Sequence, residues 1–121
     1  MDKFRFRKWP VYQDAKNLVA LVLKIIKKLP AEYRFEIGSQ MSRSSLSVVL
    51  NIAEGCGRSG DVELNRFINI GVGSLYETFA AIDILNDNKL INEKEFVEAN
   101  QLIDSIDNQL GGLKKTIKRS K

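Results

Sequence analysis

The residue types that most often carry out chemistry are scarce in this chain, and the first of them is missing. There is no histidine among the 121 residues. That removes the commonest general base, the Ser-His and Cys-His nucleophile pairs and histidine-containing zinc sites. It also removes the Glu-x-x-His motif by which helical bundles hold paired iron ions. A carboxylate-only metal site would have to draw on Glu93, Glu95, Glu98, Asp104 and Asp107. Their spacing sets them largely off the apolar seam of the last helix, so they read as a solvated acidic face. Gly55-Cys56-Gly57-Arg58-Ser59-Gly60 matches G-x-G-x-x-G letter for letter. The dinucleotide fingerprint needs a strand before it and a sheet to anchor its turn, whereas here a helical pattern precedes it. The segment reads instead as a helix-to-helix loop. Its single cysteine, Cys56, cannot form an internal disulfide, and no partner suggests a redox role. These residues lead us to expect a non-enzymatic protein with no metal and no cofactor.

Binding chemistry is better represented. Lys3-Phe4-Arg5-Phe6-Arg7-Lys8-Trp9 interleaves cations with aromatic rings, and Lys114, Lys115, Lys118, Arg119 and Lys121 crowd the other terminus. Rings can stack on bases while cations neutralise phosphates, so Lys3, Arg5, Arg7, Lys8, Lys114, Lys115, Lys118 and Arg119 are candidate nucleic-acid contacts of low sequence specificity. The structural alternative is that Phe4, Phe6 and Trp9 pack against the bundle or a neighbouring subunit. The terminal lysines would then serve solubility and the helix dipole. Net charge is +4, but residues 1–8 carry +3 and residues 114–121 carry +5, leaving −4 for everything between. An acidic body with two basic ends is the asymmetry to explain.

The elements that must position these groups are helical. Val11, Ala15, Leu18, Val22, Ile25 and Leu29 step by three and four between Pro10 and Pro30, which open and close the first helix. A second is expected from near Glu32 to Glu54, with Ile37, Met41, Leu46, Val49 and Ile52 in the core and serines along its middle. Asp61 is the expected N-cap of a third helix from about Val62 to Asn86. Its apolar face is Leu64, Phe67, Ile68, Leu75, Phe79, Ile82 and Leu85, and Gly71 and Gly73 suggest a tight crossing. Asn92 should cap a fourth, whose seam runs Phe96, Ala99, Ile103, Ile106, Leu110, Leu113, Ile117. Four such helices with short connections make an all-α, antiparallel up-down-up-down four-helix bundle. It would be one domain over residues 1–121, with a basic arm at 1–9 and a basic tail at 114–121. No unbroken apolar run nears the roughly 20 residues of a membrane span, and no signal peptide is evident, so we expect a cytoplasmic protein.

Three stretches resemble one known family. Val11-Tyr12-Gln13-Asp14-Ala15 resembles its opening helix, usually with tryptophan where Tyr12 stands. The run Arg43 to Gly55, with its Asn51-Ile52-Ala53-Glu54-Gly55 core followed by Arg58, resembles its signature, in which many relatives have proline at the place of Val49. Phe67 to Thr78, containing Gly73-Ser74-Leu75-Tyr76-Glu77, resembles its third-helix motif. The family is the bacterial four-helix-bundle proteins named for reading frames in intervening sequences of large-subunit ribosomal RNA genes. The ribosomal-protein label sometimes given to it reflects gene location. The resemblance implies a bundle assembling into a ring, commonly a pentamer. It also implies likeness in fold to retroelement accessory proteins that bind RNA and a reverse transcriptase through a basic ring surface.

Within that frame Asn51, Glu54, Ser74 and Glu77 are polar residues among apolar neighbours, and if buried they must be hydrogen-bonded. A structural network is expected, with Arg43, Arg58 or Arg66 pairing Glu54 and Glu77; the alternative is a polar pocket or subunit contact. A ring needs a heterologous interface, one patch docking on a different one. Phe67, Val72, Tyr76 and Phe79 supply more apolar surface than one seam requires and are the candidate oligomer interface. The resulting expectation is a homo-oligomeric scaffold contacting nucleic acid, RNA favoured over DNA. A protein-protein adaptor is the alternative.

Overall fold

Pro10 opens α1 (Pro10–Lys28) at a position where its missing N–H is not needed, and Leu29 closes it in extended conformation just before Pro30. The computed structural model describes residues 3–119, with side chains through residue 117. Every residue of the α1 seam from Val11 to Leu29 is buried, as its three-four spacing requires.

The second helix does not start as cleanly as the spacing predicts. A single turn at Ala31–Tyr33 widens into a π-helical turn at Arg34–Gly38 before the regular α2 (Ser39–Gly57) begins. The cause lies at the α1–α2 corner. The Arg34 side chain donates to the Leu29 carbonyl at 2.9 Å, and Gly38 sits so close to α1 that a Cβ there would lie 3.2 Å from Ile26 Cγ2. The wide turn leaves Phe35 85% exposed. Ile37, in the wide turn, is half-buried; within α2, Met41, Val49 and Ile52 are buried as expected, but Leu46 is 45% exposed. Its expected place is taken by Ser44, Ser45 and Val48.

Only Arg58, Ser59 and Gly60 separate α2 from α3 (Asp61–Asp87). A reversal that short needs a positive φ, and Gly60 supplies it at +85°. Gly60 therefore occupies the cap position, and Asp61, expected there, is the first helical residue. Of the two mid-helix glycines, Gly71 faces Asn51 and Val48 across the α2–α3 seam, while Gly73 has open space beside it. Gly71 lies at the seam at ordinary contact distance, and the tightest approach of α2 to α3 is at Gly55 instead. Among the described helices, α3 has the length and mean hydropathy, 1.2, that a membrane span would need. That is more apolar than a search for unbroken runs suggests. Phe67, Ile68, Leu75, Ile82 and Leu85 turn one side of it to the bundle core.

Asn92 caps α4 (Glu93–Arg119) as its position predicts. Its Oδ1 accepts the Glu95 N–H at 2.7 Å, and Glu95 Oε1 accepts the Asn92 N–H at 3.0 Å, a reciprocal capping box. The four helices run antiparallel to their sequence neighbours, and α4 returns to pack on α1. Leu18, Ile25, Met41, Ile52, Ile68, Leu75, Ile82, Ile106 and Leu110 fill the space between them. This is the up-down-up-down bundle.

Candidate nucleic-acid interface

The antiparallel pairing of α1 and α4 brings the described part of the arm and the C-terminal end of α4 to one end of the bundle. Trp9, Pro10 and Val11 share a hollow with Gln109 and Leu113 of α4. One turn further in, Gln109 donates to Asp14 Oδ2 at 2.7 Å. The sequence separates the two basic segments by a hundred residues; the fold makes them neighbours.

The N-terminal arm is structured. Residues Arg5–Lys8 form one 3-10 turn, held by a bond from Gln13 Nε2 to the Arg7 carbonyl at 2.7 Å. Phe6 packs edge-on against Tyr12 with ring centroids 4.9 Å apart, Phe4 lies against Phe6, and Trp9 is half-buried on the core. Phe6 and Trp9 thus follow the packing alternative rather than standing free as base-stacking platforms. Their packing leaves Lys3, Arg5, Arg7 and Lys8 exposed. On α4, Lys115 is exposed and Lys114 half-buried. Lys118 and Arg119 lie on the same helix, but their side chains fall outside the described residues, as do the last residues of the tail.

The α2–α3 loop and the first turns of α3 add one cation each at this end, Arg58 and Arg66, which the sequence suggested only as partners for carboxylates. Arg58 and Arg66 lie over the same ring, with guanidinium carbons 5.3 and 5.0 Å from the Phe67 centroid. Arg58 also meets Glu54 at 3.4 Å, and Arg66 meets Glu63 at 3.3 Å. No sequence spacing shows two arginines sharing one ring. The only signal was their closeness to Phe67 across a short glycine loop.

The expected polar network exists with different members. Ser44 and Thr78 hydroxyls meet at 2.7 Å, and so do those of Ser47 and Ser74. Asn51 donates to the Ser47 carbonyl at 2.8 Å and to its hydroxyl at 3.0 Å, while Thr78 donates to the Ser74 carbonyl at 2.9 Å. Asn51 and Ser74 therefore belong to it. Glu54 and Glu77 do not: both are exposed on outward faces, where a carboxylate keeps its hydration. Arg58 does pair with Glu54 as expected, on the surface, whereas Arg66 pairs with Glu63 rather than Glu77 and Arg43 is exposed. Small hydroxyls do at this seam what the charged pairs were expected to do.

Among the residues named for an oligomer interface, Phe67 is only 7% exposed, and Val72 and Phe79 are half-buried against the core. Their apolar area is spent inside the subunit. Tyr76 is 59% exposed, and its hydroxyl donates to Asp107 at 3.1 Å, an interaction that raises its pKa. Beside Tyr76, the outward apolar side chains on α2 and α3 are Leu46, Leu50, Val62, Ile70 and Ile84, of which Val62 stands at the very start of α3.

The acidic residues of α4 are spread along it. Glu95 belongs to the capping box and to an ion pair with Lys28 at 2.5 Å. Asp107 takes the Tyr76 proton donor, and among the described residues no group of three or more acids or cysteines gathers as a metal site would require. The Gly55–Gly60 segment is the end of one helix and a three-residue loop, with a helix before it and no strand.

Among curated proteins no relative matches. A solved structure from Bacteroides thetaiotaomicron, of a protein of unknown function from the S23 ribosomal protein family, is similar over 87% of this chain and 98% of its own. The two are 20% identical and superpose with a TM-score of 0.81, so the likeness is one of fold. The 23S rRNA-intervening sequence protein family matches residues 7–112, nearly the whole bundle, and the chain belongs to that family.

Proposed function

We propose that this protein is a non-enzymatic, homo-oligomeric scaffold that contacts RNA through the basic end of its bundle. The observation that carries the reading is the gathering of Lys3, Arg5, Arg7, Lys8, Lys114 and Lys115 at one end by the α1–α4 pairing. Grouped like charges repel one another; the phosphates of a polyanion neutralise them, and the counterions condensed on it are released with a gain in entropy. The cations face phosphate, not bases, so the contact positions RNA without reading its sequence. The ring expected from the family resemblance would repeat this patch once per subunit and multiply a weak contact into a firm one. Leu46, Leu50, Ile70 and Ile84 supply outward apolar surface for the subunit contact. The same four residues also favour the alternative, a protein-protein adaptor whose charges serve solubility.

Anisotropy of a labelled structured RNA and a labelled duplex DNA, titrated at about 50 and 200 mM salt, separates these readings. The scaffold binds at low salt, loses affinity steeply at high salt and prefers RNA. Light scattering after gel filtration should show a mass of several chains. A monomer, or a protein that ignores both nucleic acids at low salt, contradicts the proposal. The adaptor reading would then stand.

A further inference from the structure

The cations at the basic end differ in how firmly they are held. Those of the arm and Lys115 sit on long stems in water, and each must be immobilised when it meets a phosphate, which costs side-chain entropy. Arg58 and Arg66 are held in advance. Phe67 is buried and fixes the ring beneath both guanidinium groups. Gly55 presses the end of α2 onto the start of α3 so closely that a Cβ there would lie 3.1 Å from both Phe67 Cβ and Leu64 Cδ1. The two helix ends that carry the arginines therefore have little slack. Glu54, exposed, and Glu63, half-buried, each touch one guanidinium through one nitrogen at 3.3–3.4 Å. A guanidinium has five N–H donors in a planar fork, so each arginine keeps most of its donors for a ligand.

We infer that Arg58 and Arg66, seated on Phe67, are the phosphate-gripping centre of the RNA-contacting end. This rests on the RNA reading above and adds to it the residues that contribute most per contact. The ligand group is the phosphodiester of the RNA backbone, which a planar fork meets with two parallel hydrogen bonds. Two like charges on one ring repel, and adjacent phosphates relieve that strain where the two single-point carboxylate contacts do so only in part.

The test compares matched double variants by RNA anisotropy at about 50 mM salt, with thermal melts to verify folding. R58Q/R66Q should weaken binding at least about tenfold more than K8Q/K115Q, and should reduce the salt slope by about 1.4–1.8. R58K/R66K keeps both charges and should still lose severalfold, because the planar fork is gone. If R58Q/R66Q binds within about twofold of the unaltered protein while K8Q/K115Q is impaired, the pair is structural; the inference falls and the RNA reading stands. If the unaltered protein binds no RNA at 50 mM salt, both fall. Polyglutamate displacing RNA as well as polyphosphate does would overturn the assignment to phosphate.

Discussion

The two ends of the bundle handle charge in opposite ways. At the end that holds the α1–α2 corner and the turn into α4, cations and carboxylates are nearly balanced, and several do structural work. Lys28 pairs with Glu95, Glu95 completes the Asn92 capping box, Arg34 holds the Leu29 carbonyl, and Asn88 returns to the Ile84 carbonyl. At the other end the described side chains include eight cations, four from the arm, Arg58, Arg66, Lys114 and Lys115, against Glu54, Asp61 and Glu63. Solubility alone would favour spreading charge over the surface. Concentrating one sign at one end is the feature on which the proposed RNA contact rests.

That contrast can be broken or sharpened, and the largest effect should be on binding. Reversing Arg5, Arg7, Lys8 and Lys115 to glutamate should lower RNA affinity at least about a hundredfold, read by anisotropy at low salt. Next comes stability at the opposite end. Asn92→Ala should cost about 1 kcal/mol in urea denaturation, the usual worth of a helix cap, and leave RNA affinity unchanged. Loss of affinity in that variant would mean the two ends are not independent.

The pH dependence of stability is a smaller signature of the same end. Burial pushes the Glu95 carboxyl up, but the Asn92 N–H and the Lys28 and Lys24 ammoniums outweigh it and hold the group below its ordinary value of 4.5. A carboxylate with a depressed folded pKa contributes stability that is fully present above 4.5 and lost as pH falls through the folded value. Glu95→Gln should therefore lower stability at neutral pH and flatten its decline below about pH 4.5, measured as thermal midpoints across pH. The smallest effect belongs to the basic end. Neutralising its exposed cations should raise stability by about a few tenths of a kcal/mol at low salt, a gain that disappears at about 0.5 M salt as screening removes the repulsion.

The seams of α1 and α4 were legible because each steps strictly by three and four, and both lie where that pattern puts them. The α2 seam was not. There Ser44 and Ser45 are buried while Leu46 and Leu50 face outward. A reading that sends leucine inward fails at this seam because the buried hydroxyls are satisfied locally and across to α3. Ser44 uses the Met41 carbonyl and Thr78; Ser47 uses Ser74. The same substitution explains why Glu54 and Glu77 were misassigned: where hydroxyls already pair the two helices, no buried carboxylate is needed. At the candidate site the arm and tail cations were visible as a composition bias. Their meeting at one end required only the helix count. The Arg58–Phe67–Arg66 cluster depends on a loop geometry set by Gly60 and on the Gly55 contact, and neither can be read from spacing.

If RNA is drawn to one end by the position of the cations rather than by net charge, as proposed, a matched pair of variants will separate the two. One changes Arg5, Arg7, Lys8 and Lys115 to glutamine; the other changes Lys24, Lys27, Lys89 and Lys94. Both lower net charge by the same amount, and both would be titrated with the same labelled RNA at about 50 mM salt. The first variant should lose most of its affinity while the second binds within about threefold of the unaltered protein. Equal losses in the two would contradict it and leave a diffuse attraction with no interface behind it.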